Sequence, residues 1–246
     1  MKNKTLLGLL GVFIFLSIWE LNSSLAAKSY FPSAINVMLK IVDVLMSDRF
    51  ITHLMSSLTI ALAGIGYAII IGVVVGVAMG EVMWIRRLLE PLTHSLRGIA
   101  SLSLFPILII VFGIGIGSRV FVIFWTAWPP ILISSIKSIS DADKELVEAS
   151  QTMGATRMQI LTLIKIPLAS SRILTGVKIG FGTGWISLIA AEMLVSTSGI
   201  GFMIINLTQT FRFEEAYAYV LIASALLFIL TALLDIIIKQ VDKKIS

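Results

Sequence analysis

Six long apolar runs, at residues 5–25, 54–80, 92–112, 119–136, 173–195 and 217–238, are separated by short polar stretches. Each run is apolar on all faces, as a helix in lipid or inside a packed bundle must be. A helix needs about 20 apolar residues to cross a hydrocarbon core about 30 Å thick, and the runs meet that length. The alternating polarity of a membrane barrel is absent. Backbone amides in lipid must be satisfied within the segment, so the pattern predicts an all-α polytopic membrane bundle of about six transmembrane helices. Composition agrees: 57% of residues are hydrophobic and 13% charged, with a mean hydropathy of +1.00, against about 25% charged in soluble domains. Cysteine is absent, which excludes disulfides, thiolate metal sites and cysteine nucleophiles.

The pattern divides the chain into an N-terminal anchor helix at 1–30, an external interfacial segment at 31–53 and a core at 54–246. Lys2 and Lys4 precede the apolar stretch 6–16, and the small residues Ser24, Ala26 and Ala27 resemble a signal-peptidase site. An uncleaved anchor is the other reading, and it leaves the remaining topology unchanged. Within 32–47, Ile35, Val37, Met38, Ile41, Val42, Leu45 and Met46 alternate with polar residues. That pattern fits a helix lying at the membrane interface or a partly buried connecting helix. Orientation follows from the basic residues. With both termini cytoplasmic, the inside segments carry Lys2, Lys4, Arg86, Arg87, Lys137, Lys144, Arg157, Lys165, Arg172, Lys239, Lys243 and Lys244. The outside segments carry only Lys28, Lys40, Arg49, Arg119 and Arg212, as the positive-inside rule requires.

Two glycine ladders run through the apolar segments: Ala68, Gly72, Gly76 and Gly80, then Gly176, Gly180 and Gly184, each at four-residue spacing. Such ladders let helix backbones approach closely; simple tight packing and a gating role both fit. Pro106 and the pair Pro129-Pro130 fall inside expected helices, where a missing amide and a ring clash bend the backbone. Glu192, Lys178 and Arg97 are charges at membrane depth, where ionisable groups face a cavity or a partner. Lys178 and Glu192 are too far apart on one helix to pair, and Lys178 is expected to snorkel to the surface. Glu192 reads equally as a structural partner or a pathway residue. His53 and His94 are isolated, so no metal site is expected, and no cofactor is implied.

The segment 148–167 is a polar interruption of this apolar sequence. Ser140 with Asp143 three residues on is a capping pattern, and Asp141, Asp143 and Glu145 crowd a helix start. A short helix over 141–153 is expected, with Leu146, Ala149, Ser150 and Met153 on one face. Gly154 would end it and turn the chain into a second segment with Met158, Leu161 and Ile164, which Pro167 would break before the next crossing. A compact helix-turn-helix projecting from the membrane results.

The spacing of Glu148, Ala149, Ser150, Gly154, Ala155, Arg157, Ile164 and Pro167 resembles the EAA loop of ATP-binding-cassette importer permeases. The stretches 104–118, 145–149 and 176–193 and Ser198-Gly199-Ile200-Gly201 are similar to the nitrate/sulfonate/taurine branch of that family, over roughly residues 31–239. Departures are Ser150, where alanine is usual, and Ile166, where leucine is common. At 96–105 the branch often carries a proline-rich segment, and this chain reads L-R-G-I-A-S-L-S-L-F.

The resemblance implies a type I importer permease (MetI-like) fold in the cell's plasma or inner membrane, with the coupling loop within 137–172. It implies ATPase subunits, a second permease subunit, expected to be an identical copy, an extracytoplasmic solute-binding protein and the lipid bilayer as partners, and no nucleic acid. Glu192, Gly180, Gly184 and Pro106 become candidates for the pathway or gate. Cargo in the branch ranges from small oxyanions and sulfonates to neutral or cationic vitamin precursors. No G-x-x-x-x-G-K-[ST] phosphate loop is present, so ATP hydrolysis belongs to another subunit and the chain is not expected to be an enzyme. The alternative is an ion-coupled secondary transporter working through Glu192, Arg97 and Asp235. A membrane enzyme ranks last, since no His, Asp or Ser cluster has catalytic spacing.

Overall fold

The computed structural model describes residues 2–26 and 30–245, and only the backbone of residues 2–9, 12, 26, 144, 244 and 245. Ala27 and Lys28, which bear on the cleavage and orientation readings, lie outside the described residues. The described chain is helical: α1 (Lys2–Ala26), α2 (Ala34–Leu45), α3 (Asp48–Glu81), α4 (Met83–Arg97), α5 (Phe105–Phe112), α6 (Ile116–Ser140), α7 (Lys144–Thr152), α8 (Arg157–Ile160), α9 (Ile166–Leu194), α10 (Ile200–Gln209) and α11 (Phe213–Ile245). Among the described residues, four helices are long and apolar enough to cross a membrane: Asp48–Glu81, Ile116–Ser140, Arg157–Leu194 and Phe213–Lys243. The pair Met83–Arg97 and Ser101–Phe112 makes a fifth crossing if counted together. In α1 the described apolar stretch, Phe13–Leu25, is shorter than a span.

The centre is a three-helix sandwich in which α6 lies between α3 and α9. Both glycine ladders face α6. A Cβ added at Gly72 would meet Ile131 at 3.0 Å, and one at Gly180 would meet the same side chain at 3.0 Å. At Gly76 the added carbon would lie 2.5 Å from the Ser135 Cβ, and at Gly80 it would lie 2.8 Å from that of Ile139. Ile131 is thus wedged between two bare helix faces and is fully buried. Close packing is the function these ladders visibly perform. The matching order of contacts, Gly64 to Ile123 through Gly80 to Ile139, makes α3 and α6 run parallel, so residues 82–115 must return the chain from one end to the other.

That return is broken where one helix over 92–112 was expected. α4 ends at Arg97, Ala100 is extended (φ −65°, ψ 122°), a 3₁₀ turn covers Ser101–Leu104, and the two arms meet at 83°. Pro106 is the physical reason on the far side. A continuous helix would bring its ring against the carbonyl of residue 102, whereas in the first turn of α5 its missing amide has no partner to lose. Pro129 and Pro130 are carried inside α6 without interrupting it.

The remaining helices frame this core. α2 starts at Ser33, whose hydroxyl accepts from the Ile35 amide at 3.2 Å, and Glu20 of α1 accepts from the Ala34 amide at 2.8 Å. Val37 and Val44 are buried on the α11 side, while Ile35, Met38, Leu39, Val42, Leu45 and Met46 remain exposed. α2 therefore has one face packed on the bundle and one apolar face uncovered. α11 closes the other flank, with the Trp185 indole of α9 donating to the Ala223 carbonyl at 3.2 Å.

Candidate functional site

At one end of the sandwich the chain leaves α6 and makes the α7–α8 hairpin. Ser140 does not cap it. α6 runs on through Ser140, whose hydroxyl donates weakly to the Gly80 carbonyl at 3.4 Å. The cap is Asp143, whose carboxylate accepts from the Glu145 amide at 2.9 Å, so α7 begins at Lys144 and not near 141. Aspartate outranks a serine still held in an intact helix because its carboxylate meets the unsatisfied amides directly. Gly154 adopts φ +84°, the left-handed turn only glycine takes without strain. Thr156 then opens α8 with a complete capping box: its amide donates to the Gln159 side chain at 2.8 Å, and its hydroxyl accepts from the Gln159 amide at 3.4 Å. The Thr156/Gln159 pair is a signal the sequence carried and the reading above missed.

Pro167 does not break this segment. Residues Arg157–Leu194 form one helical rod, in which Leu161–Lys165 is a π-helical turn and Pro167 sits in the first turn of α9. The wider turn moves the carbonyl that the proline ring would strike and leaves no amide missing from the ladder. The junction is tied to the core by Lys165, whose ammonium meets Glu81 at the end of α3 at 2.6 Å.

The hairpin's polar caps are satisfied and Ile160 is buried, but three of its larger apolar residues are not covered. Met153 is 87% exposed, Met158 67% and Leu163 71%. A notch lined by Ser150, Met153, Gly154, Ala155, Gln159, Leu163 and Ile164 lies between the arms. Glu148 and Ala149 are exposed on α7 and Arg157 on α8. The eight sequence-selected loop residues thus lie on one projecting hairpin and its junction with α9.

At the opposite end lies a buried polar knot around Glu192. The carboxylate is fully buried. It accepts from the Ser57 hydroxyl of α3 at 2.8 and 2.9 Å and from the Gly201 amide of α10 at 2.9 Å. Ser57 in turn accepts from the Ile200 amide at 2.8 Å. The preceding loop is held by Arg119 of α6, which donates to the Ser196 hydroxyl at 2.8 Å and the Gly115 carbonyl at 3.0 Å. His53 accepts from the Gly199 amide at 3.1 Å through Nδ1. Gly199 has φ +116°, and a Cβ there would strike the Glu192 carboxylate. Glu192 therefore occupies a structural position, pinning Ser198-Gly199-Ile200-Gly201 to α3 and α9. Arg119, Ser57 and His53 were not singled out as its partners, because contacts across more than 60 residues leave no local spacing to read.

Lys178 has a partner that the sequence did not name: it pairs with Asp235 of α11 at 2.6 Å, with both side chains partly exposed. That pairing also separates Asp235 from Glu192 and Arg97, so the three acidic and basic residues of the ion-coupled alternative do not converge. Gly180 and Gly184 lie on the α6 face, and Pro106 lies in the first turn of α5.

Comparisons with known proteins agree with this architecture. The family model described as "Binding-protein-dependent transport system inner membrane component" matches residues 68–246. The taurine transport system permease protein TauC of Escherichia coli is 29% identical over 224 residues, covering 88% of this chain and 82% of that protein. The nitrate import permease protein NrtB of Synechocystis is 27% identical, covering 95% and 89%. The putative aliphatic sulfonates transport permease protein SsuC of Bacillus subtilis is 25% identical, covering 97% and 86%. Among solved structures, an inward-facing MetNI methionine ABC transporter chain matches with a TM-score of 0.66 at 20% identity, over 80% of this chain and 99% of that one, which establishes the fold. The chain belongs to the family of binding-protein-dependent transport system inner membrane components, the membrane-spanning permease subunits of ATP-binding-cassette importers.

Proposed function

We propose that this permease carries a small oxyanion or sulfonate, of the taurine, aliphatic sulfonate or nitrate kind, and that the α7–α8 hairpin is the element through which ATP drives it. A permease of this family works with ATPase subunits and a solute-binding protein. The observation that carries the docking role is the hairpin's combination of internally satisfied caps with uncovered Met153, Met158 and Leu163. Such a surface is rigid and incomplete, as a docking element must be, and flexible methionines adapt to a partner's groove. Its junction with α9 is a helical rod latched to α3 through Lys165 and Glu81. A push on the hairpin is therefore delivered to two core helices at once, in keeping with rigid-body switching between two packed states.

The substrate class is supported by the names of the relatives. Orientation follows the basic residues, with both termini and the hairpin on the cytoplasmic side, and a second identical copy completes the pathway. The test is uptake of labelled taurine and nitrate by vesicles holding the reconstituted complex, with and without internal ATP and with an ionophore present. Accumulation that needs ATP and ignores the ionophore is expected. Accumulation that ignores ATP and vanishes with the ionophore would overturn the coupling role.

A further inference from the structure

Among the described residues, the charges that reach the buried parts of the helix bundle are answered within the chain, whereas the one at the helix break is not. Glu192, Arg119, Lys178 and Asp235 all have partners. Arg97, the last residue of α4, is exposed, and no acidic group of the described residues lies within ion-pair distance of it. It lines a cleft of about 360 Å³ with Ser101 of the 3₁₀ turn and Trp125, Thr126 and Pro129 of α6.

The depth of this cleft follows from helix geometry. α6 has 25 residues, about 37 Å at about 1.5 Å per residue, and residues 125–129 lie near its middle. The cleft is therefore at the middle of the span, whichever way the chain is oriented. Non-helical backbone at that depth is tolerated where it is buried in protein or lines a water-filled cavity. Here Ile99 and Ala100 are exposed beside Arg97 and line the cleft with it. An ionised arginine facing lipid at mid-span would be costly, and intramembrane charges mark substrate paths. Discontinuous helices at mid-membrane form substrate sites in other transporters for the same reason: they free polar groups where a helix would bury them.

We propose that Arg97 is an anion-binding residue of the translocation pathway, and that the cleft at the α4–α5 break takes the oxyanion group of the cargo. This rests on the substrate class proposed above. The planar guanidinium presents paired N–H donors that match two oxygens of a sulfonate or nitrate, and the Ser101 hydroxyl stands on the same cleft. A weakly held donor is at hand on α6: the Trp125 indole, which lines the same cleft, reaches the Ile99 carbonyl only at 3.4 Å. The site is open on one side and holds a single charge, as conduction demands: binding strong enough to admit the ion and weak enough to release it.

The absence of cysteine makes a direct test available. In the full reconstituted complex, Ser101→Cys places a single thiol of this chain in the cleft. Its modification rate is measured with the anionic reagent 2-sulfonatoethyl methanethiosulfonate and its cationic trimethylammonium counterpart, each corrected for its rate with a free thiol. The anionic reagent should react about tenfold faster, as a nearby unit charge dictates, and adding Arg97→Gln should abolish the preference. No reaction of the thiol with the anionic reagent, or equal rates for the two reagents with Arg97 present, would overturn the proposal. In parallel, Arg97→Gln should lower ATP-driven uptake of the transported anion at least tenfold, with Arg97→Lys intermediate and ATPase co-purification unchanged. Anion uptake equal to wild type in Arg97→Gln defeats this inference and leaves the substrate class standing. A wild-type complex that imports neither taurine nor nitrate defeats the substrate class itself.

Discussion

The two ends of the same three helices are built on opposite terms. Around Glu192, the polar groups of α3, α9 and α10 saturate one another in a site with no exposure. Around Gly154, the backbone is equally well capped, yet large apolar side chains stand in solvent. Burying a carboxylate costs stability unless donors surround it, and once they do, removing any one leaves the others stranded. That end is complete within the chain. The hairpin end has the inverse character: Met153 and Met158 are exposed and take no part in the buried core of the described residues.

The comparison is broken most forcefully at the knot. Glu192→Ala strands the Ser57 hydroxyl and the Gly201 amide and leaves a cavity, for a loss on the order of 4 kcal/mol. In a detergent melt this should lower the midpoint by about 10 °C. Gly199→Ala, which forces a side chain against the carboxylate at φ +116°, should fall in the same range. Glu192→Gln can still accept from Gly201 and engage Ser57, so it should cost only about 1 kcal/mol and retain ATP-dependent uptake. A full loss of uptake in this variant would show that the carboxylate acts as a charge in transport.

Next come the ladders between the two ends. Gly76→Leu and Gly180→Leu drive side chains into α6 and should each cost about 1 to 3 kcal/mol. Gly66→Ala and Gly182→Ala sit on the same helices with nothing within 4 Å, and should be neutral or stabilising by up to about 1 kcal/mol. Equal melting of all four variants would remove the close-packing account. Smaller still is Glu81→Gln, which loosens the Lys165 latch; a half-buried pair of this kind should cost about 1 kcal/mol. Its clearer signature would be ATP hydrolysis that persists while uptake per ATP falls.

The legible part of this architecture was whatever lies within a turn or two of sequence. Apolar runs, the Gly72 to Gly80 and Gly176 to Gly184 ladders and the left-handed turn at Gly154 all declare themselves locally. The break at 98–104 did not, because its residues are apolar enough to extend a hydrophobic run and only Pro106 hinted at a stop. Pro167 misled in the other direction: a proline normally ends a helix, and the π turn that accommodates it has no residue signature. Long-range polar partners were illegible for a simpler reason. Ser57 and Glu192 are 135 residues apart, and nothing in either neighbourhood names the other.

At the hairpin end the permease itself should feel almost nothing. Met153→Ser with Met158→Ser removes exposed apolar groups and should leave the melting midpoint within about 0.5 kcal/mol of wild type. The central claim is that these residues are completed by the ATPase, and the most direct measurement is the ATPase subunit's affinity for the reconstituted permease carrying that double substitution. The account predicts binding at least tenfold weaker, since buried anchors at an interface carry more than about 1 kcal/mol each, alongside unchanged permease stability. Unaltered affinity would contradict it, and would mean that the hairpin's exposed methionines face something other than the ATPase.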